Sequence, residues 1–193
     1  MNADTFVDLS VLHDAIVADI KAQFPDLVIV EFYRAEEGQG EDARKTLPVP
    51  ACLLELSEMP ADPDHDPGTE QLAVTATFEV RLVIDSLKTR NAKLSVRVLA
   101  AAFSAWLRLR RWNNPALPGK KLPTGPAYVM GAYPDDFSPE LDRYEVWRVE
   151  WQQEIHLGDT VWKDEGVTPS NPVFSWAPEI GPGHDGDYSE VVT

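Results

Sequence analysis

Hydrophobic residues along this chain recur every three or four positions in two stretches and every second position in two others. The longest stretch with helical spacing runs from Asn91 to Trp112, NAKLSVRVLAAAFSAWLRLRRW. In it Leu94, Val98, Ala101, Ala105 and Leu109 form a stripe, while Lys93, Arg97, Ser104, Arg108 and Arg111 fall mostly on the other side, so the spacing predicts an amphipathic helix whose stripe backs a core. Asn91 suits the N-cap, and Asn113, Asn114 and Pro115 suit the exit. A first helix is predicted over Val7 to Phe24, where Leu9, Leu12, Ile16 and Ile20 share one face, Asp8 or Ser10 can cap the start and Pro25 lies beyond the end.

Strand patterns fill much of the rest. Leu27 to Tyr33 (LVIVEFY) and Ala51 to Ser57 (ACLLELS) are short, apolar and β-rich. Leu72 to Ile84 alternates strictly, with Leu72, Val74, Ala76, Phe78, Val80, Leu82 and Ile84 on one side, which predicts a long antiparallel strand with one buried face. Ala127 to Tyr133 and Arg143 to Leu157 complete the set. The latter places Val149, Trp151, Ile155 and Leu157 against Glu150, Gln152, Glu154 and His156 and is expected to pair with the strand before it. Arg34–Pro50, Glu58–Glu70, Asn113–Thr124 and Pro134–Asp142 carry the prolines, glycines and acids of projecting connections. Beyond Thr160 the periodicity stops. The expectation is an α+β domain over residues 1–165, a mostly antiparallel sheet with two helices on one face, followed by a Pro/Gly-rich arm over 166–193 with Val173, Phe174 and Trp176 as docking anchors.

Charge adds an asymmetry that the periodicity does not show. The formal net charge is -15, yet Ser86 to Leu122 holds nine of the 17 basic residues and no acidic one. An acidic balance of this size argues against nonspecific phosphate binding and leaves room for a surface that DNA slides past. The basic face of the second helix, with Arg97, Arg108, Arg110 and Arg111, reads either as solvated or as a contact for an acidic patch on an identical copy, the head-to-tail kind that closes into a ring. The single cysteine, Cys52, sits in an apolar run and reads as a buried, inert thiol in a reducing compartment. Met1 to Pro25 lacks a charged-then-apolar leader and no apolar run approaches about 18 residues, so the chain is expected to be made and used in solution, away from membranes.

Tests for chemistry come out negative. Asp62, Asp64, Asp66 and Gly68 have the flavour of a calcium loop, but Pro67 stands where the glycine turn is needed and Ala73 where the bidentate glutamate belongs. Asp185 and Asp187 beside His184 offer at most an adventitious metal contact. Gly119, Lys120 and Lys121 lack the upstream glycine and the following Ser or Thr of a phosphate loop. The four histidines have no metal-ligand spacing, no serine lies in G-x-S-x-G, and carboxylate pairs such as Glu36/Glu37 are too common here to signal acid–base work. No enzyme activity, cofactor or metal is expected. Trp147 and Trp151 read as core packing before a ligand platform.

In layout the chain resembles the tail terminator proteins of long-tailed bacteriophages, in particular the Mu-like group. The resemblance covers roughly Phe6 to Trp162 and rests on VDLSVLHDAIVADIKAQF, LVIVEFY, PACLLELSEM after a charged loop, LAVTATFEVRLVIDS, the second helix and YEVWRVEWQQEIHL. It implies a virion protein that forms a homo-hexameric ring at the head-proximal end of the tail after assembly in the host cytoplasm. Such a ring caps the tail tube protein, ends tube growth and offers a surface to head-completion or neck proteins, with DNA passing through the lumen unbound. Under this resemblance the projecting acids Glu36, Glu37, Glu41, Asp42, Asp135 and Asp136 would face the tube or lumen, an assignment made from their expected exposure. The alternatives are another neck protein, such as a head-closure or tail-completion factor, or a small acidic enzyme or inhibitor. A pocket with convergent polar groups would favour the last.

Overall fold

The computed structural model describes residues 7–33, 47–66, 68–135, 144–159, 173–176, 178 and 180–190. Two compact units are distinguished, Met1–Val161 and Trp162–Thr193. The first is an α+β unit in the order α1 (Leu9–Gln23), β1 (Ile29–Phe32), β2 (Ala51–Glu58), β3 (Leu72–Asp85), α2 (Ala92–Leu107), β4 (Tyr128–Pro134) and β5 (Tyr144–Leu157). The strands form one sheet in the order β1-β2-β3-β5-β4. Every pairing is antiparallel except β1 with β2, which runs parallel.

The two 14-residue strands β3 and β5 are the spine, paired along their whole length from Leu72↔Leu157 to Asp85↔Tyr144. Their alternation places Val74, Phe78, Val80 and Leu82 of β3 with Val149, Trp151 and Ile155 of β5 on one face, and there the main core forms with both helices. Phe78 stacks on Trp151 with ring centroids 5.0 Å apart. Trp151 is thus a core residue. Helix α1 starts where Asp8 Oδ1 accepts the backbone N–H groups of Ser10 (2.7 Å) and Val11 (3.1 Å), and it buries Leu12, Ala15, Ile16 and Ile20.

Helix α2 departs from its sequence expectation in three ways. The residues it buries are Ala92, Val96, Ala100, Phe103 and Leu107, whereas Leu94 and Val98 of the expected stripe are 60% and 59% exposed and Ala101, Ala105 and Leu109 are exposed too. Both sets recur at the same spacing on opposite sides of the helix, two residues being about 200° of rotation. Each side has two alanines and a valine, and the buried one has Phe103 and Leu107 where the other has Leu94 and Leu109. Burial stabilises by about 0.8 kcal/mol per methylene-sized group, so the side with the larger Phe103 wins. The helix also ends at Leu107, five residues early. Leu109 adopts a left-handed φ of 59°, its N–H donates to the Ala127 carbonyl (2.8 Å), and the chain turns so that Trp112 is fully buried. Finally, Asn91 stands at the N-cap position in a left-handed conformation and makes no side-chain cap bond.

A buried amide holds this early exit in place. Gln153 Nε2 donates to Thr124 Oγ1 (3.0 Å) and to the Gly125 carbonyl (2.6 Å), while its Oε1 accepts the Trp112 indole N–H (2.8 Å). All the polar atoms of a fully buried side chain are thereby used. Asp19 of α1 accepts from the backbone and side-chain amides of Asn113, which ties the first helix to the same segment.

The second unit contains a two-residue ladder, Val173–Phe174 with Ser189–Glu190. Of the expected anchors, Val173 and Trp176 are exposed.

Candidate functional site

Three surfaces of the main unit carry the candidate residues. The first is the outer side of α2 and the segment after it. Arg97 is exposed, its guanidinium lies 4.5 Å from the centroid of the Trp147 ring, and it donates to the Lys93 carbonyl. Arg108 and Arg111 are exposed. Arg110 differs, for its guanidinium stacks 4.0 Å over Trp106 and its Nε–H donates to the Trp106 carbonyl (3.3 Å). Burial lowers its tendency to hold a proton, partly offset by Asp19. Arg108, Arg110, Arg111 and Lys121 rim a shallow hollow floored by Trp106 and Leu109. Of the four arginines expected to form one contact, Arg97, Arg108 and Arg111 present charge outward and Arg110 is committed to packing.

The sheet face away from the helices is the second surface, covered at one end where Leu47 and Val49 pack with Ala51, Val83, Tyr144 and Val146. Here Arg81 meets Asp135 (Nε to Oδ2, 2.7 Å), Glu55 (3.1 Å) and Glu79 (3.7 Å), and Arg148 meets Glu79 (3.3 Å) and Glu150 (2.8 Å). Burial disfavours the charge on Arg81, but its hydrogen bonds to Asp135 and Glu55 more than offset that and raise its affinity for the proton. Two arginines thus stand among four carboxylates. Asp135 does not project as expected: its side chain is 4% exposed and held by Arg81 across three strands. Glu36, Glu37, Glu41, Asp42 and Asp136 lie outside the described residues.

The third surface, which the sequence did not single out, is a groove of about 590 Å³ between the start of α1 and the ends of β1 and β2. Leu9, Phe32, Leu56 and Met59 make it apolar, and Asp14 and Glu58 are its charged members. His13 crosses it, its ring tilted against Phe32 with centroids 4.1 Å apart, with Nε2 2.9 Å from the Tyr33 hydroxyl and Nδ1 against the Leu9 carbonyl. A carbonyl can only accept, so Nδ1 carries a proton, and in the neutral ring Nε2 accepts from the Tyr33 O–H. Burial raises the Tyr33 phenol above its usual value, with a backbone bond at Leu56 opposing and Glu55 adding to the rise, which keeps that hydroxyl a donor. Tyr33 adopts φ 46°, the left-handed region that a side chain of this size rarely enters. His13 and Tyr33 are thus turned on each other. His13 stands four residues after Leu9, a position on the inward stripe of α1 that could have flagged it.

Elsewhere, Asp62 Oδ2 accepts from Thr75 Oγ1 (2.6 Å) and lies 3.0 Å from His65 Nδ1, so this acidic loop folds on itself. His184 Nδ1 lies 2.9 Å from Asp187 Oδ2. Among the described residues no three His, Cys, Asp or Glu side chains are grouped to hold a metal ion, and no helix is long and apolar enough to cross a membrane. Comparison of the chain with protein-family models and with curated proteins gives no match.

Proposed function

We propose that this chain is the tail terminator of a long-tailed phage, a structural subunit that assembles as a ring on the last ring of tail tube protein, stops tube growth and offers its far side to head-completion proteins. The observation that carries the reading is the division of the main unit's surface. One helix face is apolar and bordered by basic residues in a stretch with no acid, while the far face of the sheet sets four carboxylates around two arginines, in a chain of net charge -15. Surfaces of opposite character on one chain favour association of copies head to tail, which closes into a ring when the rotation permits. An acidic lumen repels phosphates and lets DNA pass without sticking. Glu36, Glu37, Glu41, Asp42 and Asp136 retain their proposed place at the tube or lumen, and Val173, Phe174 and Trp176 theirs as arm anchors.

The test is tube growth in solution. Purified chain added to polymerising tail tube protein from the same phage is expected to arrest the tubes and remain at one end. Tubes that grow equally long with and without it would remove the terminator role, and retention on a head-side protein instead would point to a head-closure or completion factor.

A further inference from the structure

Two exposed features of the main unit complement each other. On the outer side of α2, Leu94, Val98, Ala101 and Ala105 form an apolar stripe, and Lys93, Arg97 and Arg108 flank it. In the groove by α1, the apolar walls of Phe32, Leu56 and Met59 are accompanied by Asp14 and Glu58, with no Lys or Arg among the described lining residues. They lie on different halves of the sheet: α2 packs over β3, β5 and β4, whereas the groove sits at the β1 and β2 edge beside α1. A stripe and a groove on opposite flanks cannot meet within one copy. They can meet between copies.

We propose that the outer stripe of α2 in one copy seats in the α1/β2 groove of the next, so that each copy gives a helix on one flank and receives one on the other. The inference rests on the ring reading for the association of copies and adds which two surfaces meet. Charge selects the occupant. Lys93, Arg97 and Arg108 of the stripe face Asp14 and Glu58 of the groove, while stripe against stripe would set arginine against arginine and groove against groove acid against acid. Like-with-like pairing is thereby disfavoured and the contact is heterologous. Within the groove Tyr33, in a left-handed backbone conformation, sets its hydroxyl on His13.

The experiment uses the full chain and two variants, Val98→Glu on the stripe and Met59→Lys in the groove, both at exposed positions. Circular dichroism and thermal unfolding first establish that each variant folds like the parent. In sedimentation runs over a wide concentration series the parent is expected to self-associate, and each variant alone to do so at least about tenfold more weakly. Mixed together, the variants are expected to form a one-to-one dimer and nothing larger, because the first keeps an intact groove and the second an intact stripe. A mixture that stays monomeric while the parent associates would overturn the proposal. So would either variant associating like the parent, or a parent that is monomeric throughout. The terminator reading fails separately, if a chain that associates in this way neither arrests tube growth nor sits on the tail.

Discussion

Gln153 shows how one residue sets a path for the chain that local sequence does not. Its amide serves Trp112, Thr124 and Gly125, the first of them 41 positions away, so Gln153→Leu leaves buried donors and acceptors unpaired. We expect a loss of roughly 2–4 kcal/mol, read as a lowered urea midpoint with unchanged slope. Cys52 is fully buried and burial alone pushes its thiol pKa up, so it should resist a thiol reagent until the protein unfolds; rapid labelling of the native chain would contradict its placement. The Asp62–His65 pair gives a pH test. Bonds from Thr75 and His65 hold the Asp62 carboxyl below its ordinary 3.8, and the bond to Asp62 holds His65 above its ordinary 6.5. The Asp62 contribution is therefore complete above pH 3.8 and lost as pH falls through the lowered value, and that of His65 is complete below pH 6.5 and lost as pH rises through the raised one. By NMR, His65 should titrate above 6.5 in the parent and move back toward that value in Asp62→Asn.

At the scale of elements, legibility followed how one-sided each pattern was. Helix α1 has a single heavy stripe and an Asp cap, and β3 and β5 alternate along nearly their whole length; all three lie close to where periodicity puts them. Helix α2 is apolar on both sides, so spacing alone could not choose, and side-chain size decided. That choice is directly testable: Phe103→Ala should cost about 3–5 kcal/mol, while Leu94→Glu should stay within about 0.5 kcal/mol of the parent. Equal losses at both positions would mean the helix is turned the other way. The early end at Leu107 was hidden because its causes, the Trp112–Gln153 bond and the Ala127 carbonyl, come from positions far along the chain. Parallel pairing of β1 with β2 was likewise hidden, since a run of apolar residues carries no direction. The groove escaped notice because Leu9, His13, Phe32 and Met59 belong to three separate elements or their ends, and Asp135 looked free because its partner Arg81 is 54 positions away.

For the whole molecule, charge segregation is the property with consequences. The arginines that remain outward on α2 and after it, Arg97, Arg108 and Arg111, are candidates for contact between copies, while Arg110 is spent on Trp106. Arg108→Glu or Arg111→Glu should weaken assembly on the tube while leaving the unfolding midpoint within about 0.5 kcal/mol of the parent, since both side chains are exposed. Raised salt should weaken the same assembly, because exposed charges are screened beyond about 8–10 Å at physiological ionic strength. The most direct measurement is to image purified particles of a phage that encodes this chain, with the chain labelled. The label is expected as a ring where the tail meets the head, at the end of the last tube ring. Label absent from finished particles, or distributed along the tail, would contradict it.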